Sequence, residues 1–294
     1  MVVVIIAISV IVFVLNYMVA DPVSAMLGVD VPPQAHEVYR HQMGFDRPIM
    51  IQYLEFAQGA IVGNFGNSFR LPAPALGLVM DRMPATLLLT FTGMGLAILI
   101  SLPLGILAAY RRHTLIDNIC TVIAVAGQAM PIYWLGLILM IIFGVRLKWL
   151  PVSGYGTPAH LIMPAFCLGV FTAPVAMRLV RSGMLEVLDM DYIRSARAKG
   201  LAEKTVLLRH GLRNTLIPVI TLLGLQFGQL LGGAIVTETV FAWPGVAQLA
   251  VNSIVNADLP VVQAAVIMLA VIITVVNLVV DIAVGLLDPR IRIG

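Results

Sequence analysis

Long apolar stretches alternate along this chain with short polar ones. The apolar runs cover Val2 to Ala20, Thr86 to Ala109, Asn118 to Val145, Leu161 to Val180, Leu216 to Thr237 and Val261 to Leu287. Each is long enough to cross a hydrocarbon layer of about 30 Å as a helix. The pattern predicts an all-α membrane protein with six transmembrane helices. The most polar long region outside the charged run described next is Asp21 to Ala85, which Gly63, Gly66, Pro72 and Pro74 divide into short elements. At about 65 residues it is long for a connector, which predicts a small cap outside the membrane.

One stretch breaks the apolar pattern with charge. Between the fourth and fifth runs, Asp191 to Pro218 carries Arg194, Arg197, Lys199, Lys204, Arg209 and Arg213, with Arg178 and Arg181 just before it. Such a run cannot lie in lipid, and its positive sign favours the cytoplasmic side. Asp189 and Asp191 suit the start of a short helix. Arg197 and Lys199 suit its end, and Gly200 its left-handed stop. Leu185, Leu188, Tyr192 and Ala196 recur at helical spacing and predict an apolar face. A second helix is predicted from Ala202 to about Leu212, and Pro218, where loop meets membrane helix, is a candidate hinge. A solvated basic loop would satisfy the charge rule alone. The sharper reading is a docking helix that presses into a cytoplasmic partner.

Composition narrows the class. Of 294 residues, 60% are hydrophobic and 11% charged, which excludes an ordinary soluble domain. Twelve bases fall on the side of Arg111, Arg112, the charged loop, Arg290 and Arg292, and six on the side of Arg40, Arg47, Arg70, Arg82, Arg146 and Lys148. That asymmetry places both termini in the cytoplasm, with Asp21 to Ala85 and Glu238 to Pro260 outside. No basic patch is interleaved with stacking aromatics, so nucleic acid is not a predicted partner. Cys120 and Cys167 lie in apolar runs and read as small buried hydrophobes. No Gly-x-x-x-x-Gly-Lys-Ser/Thr, His-Glu-x-x-His or Gly-x-Ser-x-Gly occurs, so neither bound ATP nor a hydrolase site is predicted. No catalytic, cofactor or metal residues are assigned.

Polar residues within the runs are candidates for a translocation path. Gln226, Gln229, Gly233 and Thr237 fall on one side of the fifth run, opposite a stripe of Gly224, Gly228 and Gly232 suited to helix packing. Gln128, near Pro131, is a further candidate. Such amides more commonly bond a neighbouring helix. Asn277 and Asp281 share a face of the sixth run, and Arg178 or Arg181 is the expected partner of Asp281. Pro103, Pro131, Pro164 and Pro174 predict kinks.

The charged loop resembles the EAA loop of ABC-transporter permeases, whose pattern is Glu-Ala-Ala, three residues, Gly, nine residues, Ile-x-Leu-Pro. Aligned on Gly200, Arg194, Ser195 and Ala196 take the first three positions, and His210, Leu212 and Arg213 take the Ile, Leu and Pro positions. The variant DYIRSARAKGL with RHGLRNTLIPVIT, the TETVFAWPG run at Thr237 to Gly245 and the DPRIR run at Asp288 to Arg292 resemble the dipeptide, oligopeptide, nickel and glutathione subgroup more closely. Members usually carry basic residues before the first apolar run, which here implies a start a few residues further upstream.

The resemblance implies a type I (MetI-like) permease fold. In it, residues 1–85 form the first helix and outer region, and 86–294 the five-helix core with a coupling loop at about 178–214. It implies a pore-forming subunit of an ATP-driven importer for short peptides or related solutes in the bacterial cytoplasmic (inner) membrane. Asp191, Tyr192, Arg194, Ser195, Ala196, Lys199, Gly200 and Leu201 would form the ATPase-coupling loop. The implied partners are a second, similar permease, two ATPases that hold ATP and magnesium, and an extracytoplasmic solute-binding protein. The rival reading is a self-contained secondary transporter or channel, for which Asp281 is the one obvious coupling acid.

Overall fold

The computed structural model describes residues 2–19, 23, 32–42 and 44–287. The described residues form helices: α1 Val2–Val19, α2 Pro33–Gln42, α3 Ile49–Ile61, α4 Ala75–Tyr110, α5 Leu115–Ala129, α6 Ile132–Leu139, α7 Pro158–Leu188, α8 Asp191–Ala198, α9 Leu212–Val240, α10 Val246–Val255 and α11 Leu259–Leu287. Two wider π-type turns, Met140–Arg146 and Val206–Gly211, extend α6 and lead into α9. The DPRIR run, with Arg290 and Arg292, lies outside the described residues.

Among the described residues, four helices are long and apolar enough to cross a membrane: α4, α7, the continuous helix Glu203–Val240 and α11. The pair α5 and α6 with its π turn is long and apolar enough to make a fifth only when its two halves, bent by 98° from one another, are taken together. The expected single span from Asn118 to Val145 is therefore broken. Pro131 has no N–H to continue the ladder, and it forces Met130 into extended backbone at φ −85°, ψ 131°. Pro103, Pro164 and Pro174 sit inside helices that run on through them. The first expected span falls on α1, an 18-residue helix whose apolar part, Val3–Leu15, is shorter than the four long helices.

The chain divides into two compact units, Met1–Thr86 with Pro244–Thr274 and Leu87–Trp243 with Val275–Gly294. In the first, Phe13 of α1 meets Tyr53 and Phe56 of α3 at ring distances of 5.5 and 5.6 Å. Asp258 is buried, and its carboxylate accepts hydrogen bonds from the Ser68 hydroxyl and, at 3.0 Å, the Phe69 N–H. Arg70 Nε donates to the Asn256 carbonyl at 2.9 Å. The Thr86 hydroxyl oxygen accepts the Val246 N–H at 2.8 Å, at the first turn of α10. The segment expected outside the membrane, Glu238 to Pro260, contains the helix α10, and its ends bond to residues 68–70 and 86.

In the second unit α7 is the buried post. Thr157 has the extended backbone of an N-cap and Pro158 opens the helix, where its missing N–H costs nothing. Small residues let neighbours approach closely: a Cβ on Gly93 of α4 would stand 2.8 Å from Leu168 Cβ, and one on Gly105 2.7 Å from Val180 Cβ. Such contact replaces the hydrophobic drive that lipid does not supply. Cys167 is buried with Leu135, Leu139, Met140, Met163 and Phe241. Cys120 is buried with Ala108, Ala124 and Met177.

Candidate functional site

The charged loop folds as a short helix set against the end of α7. Ile193 and Ala196 of α8 are buried with Val187 and Val206. Of the expected series Leu185, Leu188, Tyr192 and Ala196, Ala196 lies on this buried face and Leu188 packs against it from α7, whereas Tyr192 is exposed and Ile193 takes the central place. The helix breaks at Asp189–Met190, so Leu185 and Leu188 belong to α7. Met190 is the N-cap and Asp191 the acid of the first turn. Asp189 instead ends α7 and pairs with Arg112 at 3.0 Å.

The helix ends as expected at Gly200, with φ +74°. The Leu201 N–H donates to the Ala196 carbonyl at 3.4 Å and the Gly200 N–H to the Arg197 carbonyl at 2.9 Å. This is the Schellman pattern, which turns the chain sharply. Arg197 closes the knuckle: Nη2 stands 2.7 Å from Glu203 Oε1 and Nε 3.3 Å from Oε2. That hydrogen-bonded carboxylate holds the Arg197 pKa above the ordinary guanidinium value, against a smaller opposing effect of burial. With Ile193 and Ala196 buried, Asp191, Tyr192, Arg194, Ser195, Lys199, Gly200 and Leu201 are exposed. Arg194 reaches back to Asp191 at 3.3 Å.

The expected separate helix from Ala202 to Leu212 is absent. Glu203–Thr205 makes one turn, the π turn Val206–Gly211 follows, and the helix continues without a break into α9. Pro218 lies inside α9, and the departure from α geometry comes earlier, in that turn. Tyr192 fastens α8 to this junction. Its hydroxyl donates to the His210 carbonyl at 3.4 Å and accepts from Asn214 Nδ2 at 2.7 Å.

Behind the loop, Asp117 at the start of α5 is buried and bound twice by Arg181 of α7, Nε to Oδ1 and Nη2 to Oδ2, both at 2.7 Å. Its Oδ2 also accepts the His113 N–H at 3.2 Å. The expected pairing of Asp281 with Arg178 or Arg181 is therefore overturned. Arg181 is taken by Asp117, Arg178 donates to Gln128 Oε1 at 3.2 Å from both Nη atoms, and Asp281 is exposed. Asp117 was not singled out in the sequence. An acid immediately before an apolar run was the available signal, but no spacing joins residues 117 and 181.

The expected path residues are not gathered on one face. Gln128 and Gln229 are exposed, whereas Gln226 and Thr237 are buried. Gln226 Nε2 donates to the Thr172 carbonyl at 3.3 Å, while Gln226 Oε1, Thr237 Oγ1 and Asn277 Oδ1 are buried without a partner among the described residues. Of the glycine stripe, Gly224 makes a close approach, to Val280 of α11, and Gly232 faces open space. Among the described residues, no three His, Cys, Asp or Glu side chains converge as a metal site would require.

The chain matches the family described as binding-protein-dependent transport system inner membrane component over residues 101–293, and that family's N-terminal component over residues 1–90. It is 40% identical to the glutathione transport system permease protein GsiC of Escherichia coli K12, over 97% of this chain and 94% of that one. It is also 40% identical to the di/tripeptide transport system permease protein DppB of Pseudomonas aeruginosa, over 92% and 90%. A chain of the inward-facing MetNI methionine ABC transporter superposes with TM-score 0.60 at 19% identity, covering 72% of this chain and 96% of that one. A chain of an amino acid ABC transporter does so with TM-score 0.52 at 15% identity, covering 73% and 94%. These two likenesses concern the fold.

The chain is thus a multi-pass inner-membrane permease subunit of a type I ABC importer. It belongs to the binding-protein-dependent transport system inner membrane components, in the subgroup of the peptide and glutathione permeases. Membership decides against the self-contained secondary transporter or channel. It also implies a system with ATPase and binding-protein partners, in which this subunit is not itself catalytic.

Proposed function

We propose that this chain forms half of the translocation path for short peptides or related small solutes such as glutathione, paired with a second, similar permease. ATP and magnesium are held and ATP is hydrolysed by two separate cytoplasmic subunits. An extracytoplasmic binding protein delivers the solute. Both termini face the cytoplasm, with residues 21–85 and 238–260 outside.

The observation that carries the reading is the knuckle at Gly200. A helix anchored by Ile193 and Ala196 presents Arg194, Ser195, Lys199, Gly200 and Leu201 outward. Its seating on Val187 and Val206, and the Tyr192 bonds to His210 and Asn214, supply a rigid connection to α7 and α9. An ATPase that moves α8 would therefore move two membrane helices together. The domain reading of residues 1–85 and 86–294 belongs to the same proposal, with 86–294 as the moving core.

The test is reconstitution in vesicles with the second permease, the ATPases and the binding protein encoded alongside this chain. Uptake of di- and tripeptides or glutathione is expected with ATP and absent without it. Uptake driven by an ion gradient in the absence of the ATPases would overturn the proposal.

A further inference from the structure

Arg178 is a cation in the last third of the long helix α7, and among the described residues no carboxylate pairs with it. Among the described residues its one hydrogen-bond partner is the neutral Gln128 Oε1. Its neighbour Arg181, one turn further along α7, is fully answered by Asp117. Arg178 is exposed, and it borders a cavity of about 470 Å³ lined also by Asp117, Asn118, Thr121, Val122 and Arg181. Since Arg181 neutralises Asp117, this lining keeps a net charge of one positive unit, located at Arg178. A guanidinium matches the two oxygens of a carboxylate or phosphate with paired N–H groups.

We infer that Arg178, positioned by Gln128, is a weak oxyanion subsite opening on this cavity. Two sources present such a group: the carboxylate of a solute in the path, and the phosphate of an anionic lipid in the adjoining leaflet. The solute source rests on the proposed function; the subsite itself does not. Exchange of Gln128 for a carboxylate needs no rearrangement of α5 against α7, because the amide oxygen already sits where an anion's oxygen would. Competition with Gln128 keeps the site weak, which suits passage rather than retention.

The test uses the assembled complex in vesicles and reads covalent labelling of Arg178 by phenylglyoxal, followed by peptide mass spectrometry, without ATP and without uptake. In phosphatidylcholine vesicles, a tripeptide at ~10 mM should slow labelling about tenfold if it binds with a Kd near ~1 mM. The same tripeptide with an amidated C-terminus should not protect. Addition of phosphatidylglycerol without peptide tests the lipid source. Protection by the free acid alone assigns the subsite to the solute, and protection by phosphatidylglycerol alone assigns it to the lipid. Protection by neither, equal protection by acid and amide, or an Arg178 that never labels because another subunit's acid covers it would each overturn the inference. Arg181, held by Asp117, serves as the slow-labelling reference. Loss of ATP-driven uptake in the same vesicles would be a separate result, bearing on the proposed function and not on the subsite.

Discussion

Arg181 grips both carboxylate oxygens of Asp117 at 2.7 Å, joining the start of α5 to α7 seven residues before α7 ends. Asp117 is 4% exposed, while the Arg181 side chain is 30% exposed. The pair is thus closed on one side and partly wet on the other. Breaking a fully buried pair from one side costs about 3–5 kcal/mol, and the water reaching Arg181 reduces that to about 1–3 kcal/mol. Asp117→Asn should lower the melting temperature of the purified permease pair and weaken ATP-driven uptake. In a double-mutant cycle with Arg181→Gln, the two effects should fall well short of adding. Strict additivity would show that the pair does not act as a unit.

Gly200 supplies a left-handed turn, and a Cβ added there would meet nothing within 4 Å among the described residues. The cost of substitution within the subunit is therefore backbone conformation alone, about 1–2 kcal/mol for most residues and least for Asn. Gly200→Val should abolish ATP-driven uptake while leaving expression and membrane insertion near normal. Gly200→Asn separates two causes. Retained uptake in that variant would show that the turn matters, and lost uptake would show that an ATPase surface approaches the glycine closely. Crosslinks from Ala198→Cys should reach an ATPase subunit. Normal uptake by Gly200→Val would defeat the docking role of α8.

Gly224 and Val280 set the spacing of α9 and α11. A Cβ on Gly224 would lie 2.4 Å from Val280 Cγ1, a distance that no real contact sustains. Gly224→Ala should destabilise the subunit by about 1–3 kcal/mol through overpacking, read as a lower melting temperature in detergent. Val280→Ala should restore most of the loss in the double variant. No rescue would mean that Gly224 acts through a contact other than Val280.

Topology can be read directly. Asn64 and Lys204 are both exposed, and Cys120 and Cys167 are both buried. Single cysteines at positions 64 and 204, in a background without the native two, should label from opposite faces of the membrane. Labelling from the same face would overturn the assignment of residues 21–85 to the outside.

Much of this architecture is legible in the sequence because lipid enforces a simple rule: apolar runs become helices, and charge lies beyond them. The stop at Gly200 was legible for a similar reason, since a left-handed turn favours glycine. Other features depend on three-dimensional register. Pro131 predicts a kink, but whether a proline bends a helix or breaks it through 98° depends on what packs around it, as the unbroken passage of α7 through Pro164 and Pro174 illustrates. The partner of Arg181 was misassigned to Asp281 because both acids stand near the ends of apolar runs. Only the packing of α5 on α7 selects Asp117. Helix α10 was missed because Glu238 to Pro260 has no bases and ends in turn residues, and its anchor, Thr86, lies 160 positions away in the chain.

The last expectation concerns where selectivity resides. Of the residues considered for the path, Gln226 is buried and already spends its amide N–H on Thr172, and Thr237 is buried as well. Gln229 and Gln128 are the exposed amides, and Gln128 is engaged by Arg178. A zwitterionic solute would thus find at most one cation for its carboxylate, already sharing its hydrogen bonds, and amides alone for the rest. Tight binding would require charge-assisted contacts at both termini of a peptide. A conduit benefits from their absence, because a solute held strongly cannot leave. Selection is then made by the separate binding protein, and the permeases supply a permissive, gated path. Calorimetry on the purified permease pair without binding protein should detect no peptide binding tighter than roughly millimolar, about −4 kcal/mol. A micromolar site would refute this division of labour. If Gln229→Ala then abolished that site, α9 would be a recognition surface in its own right.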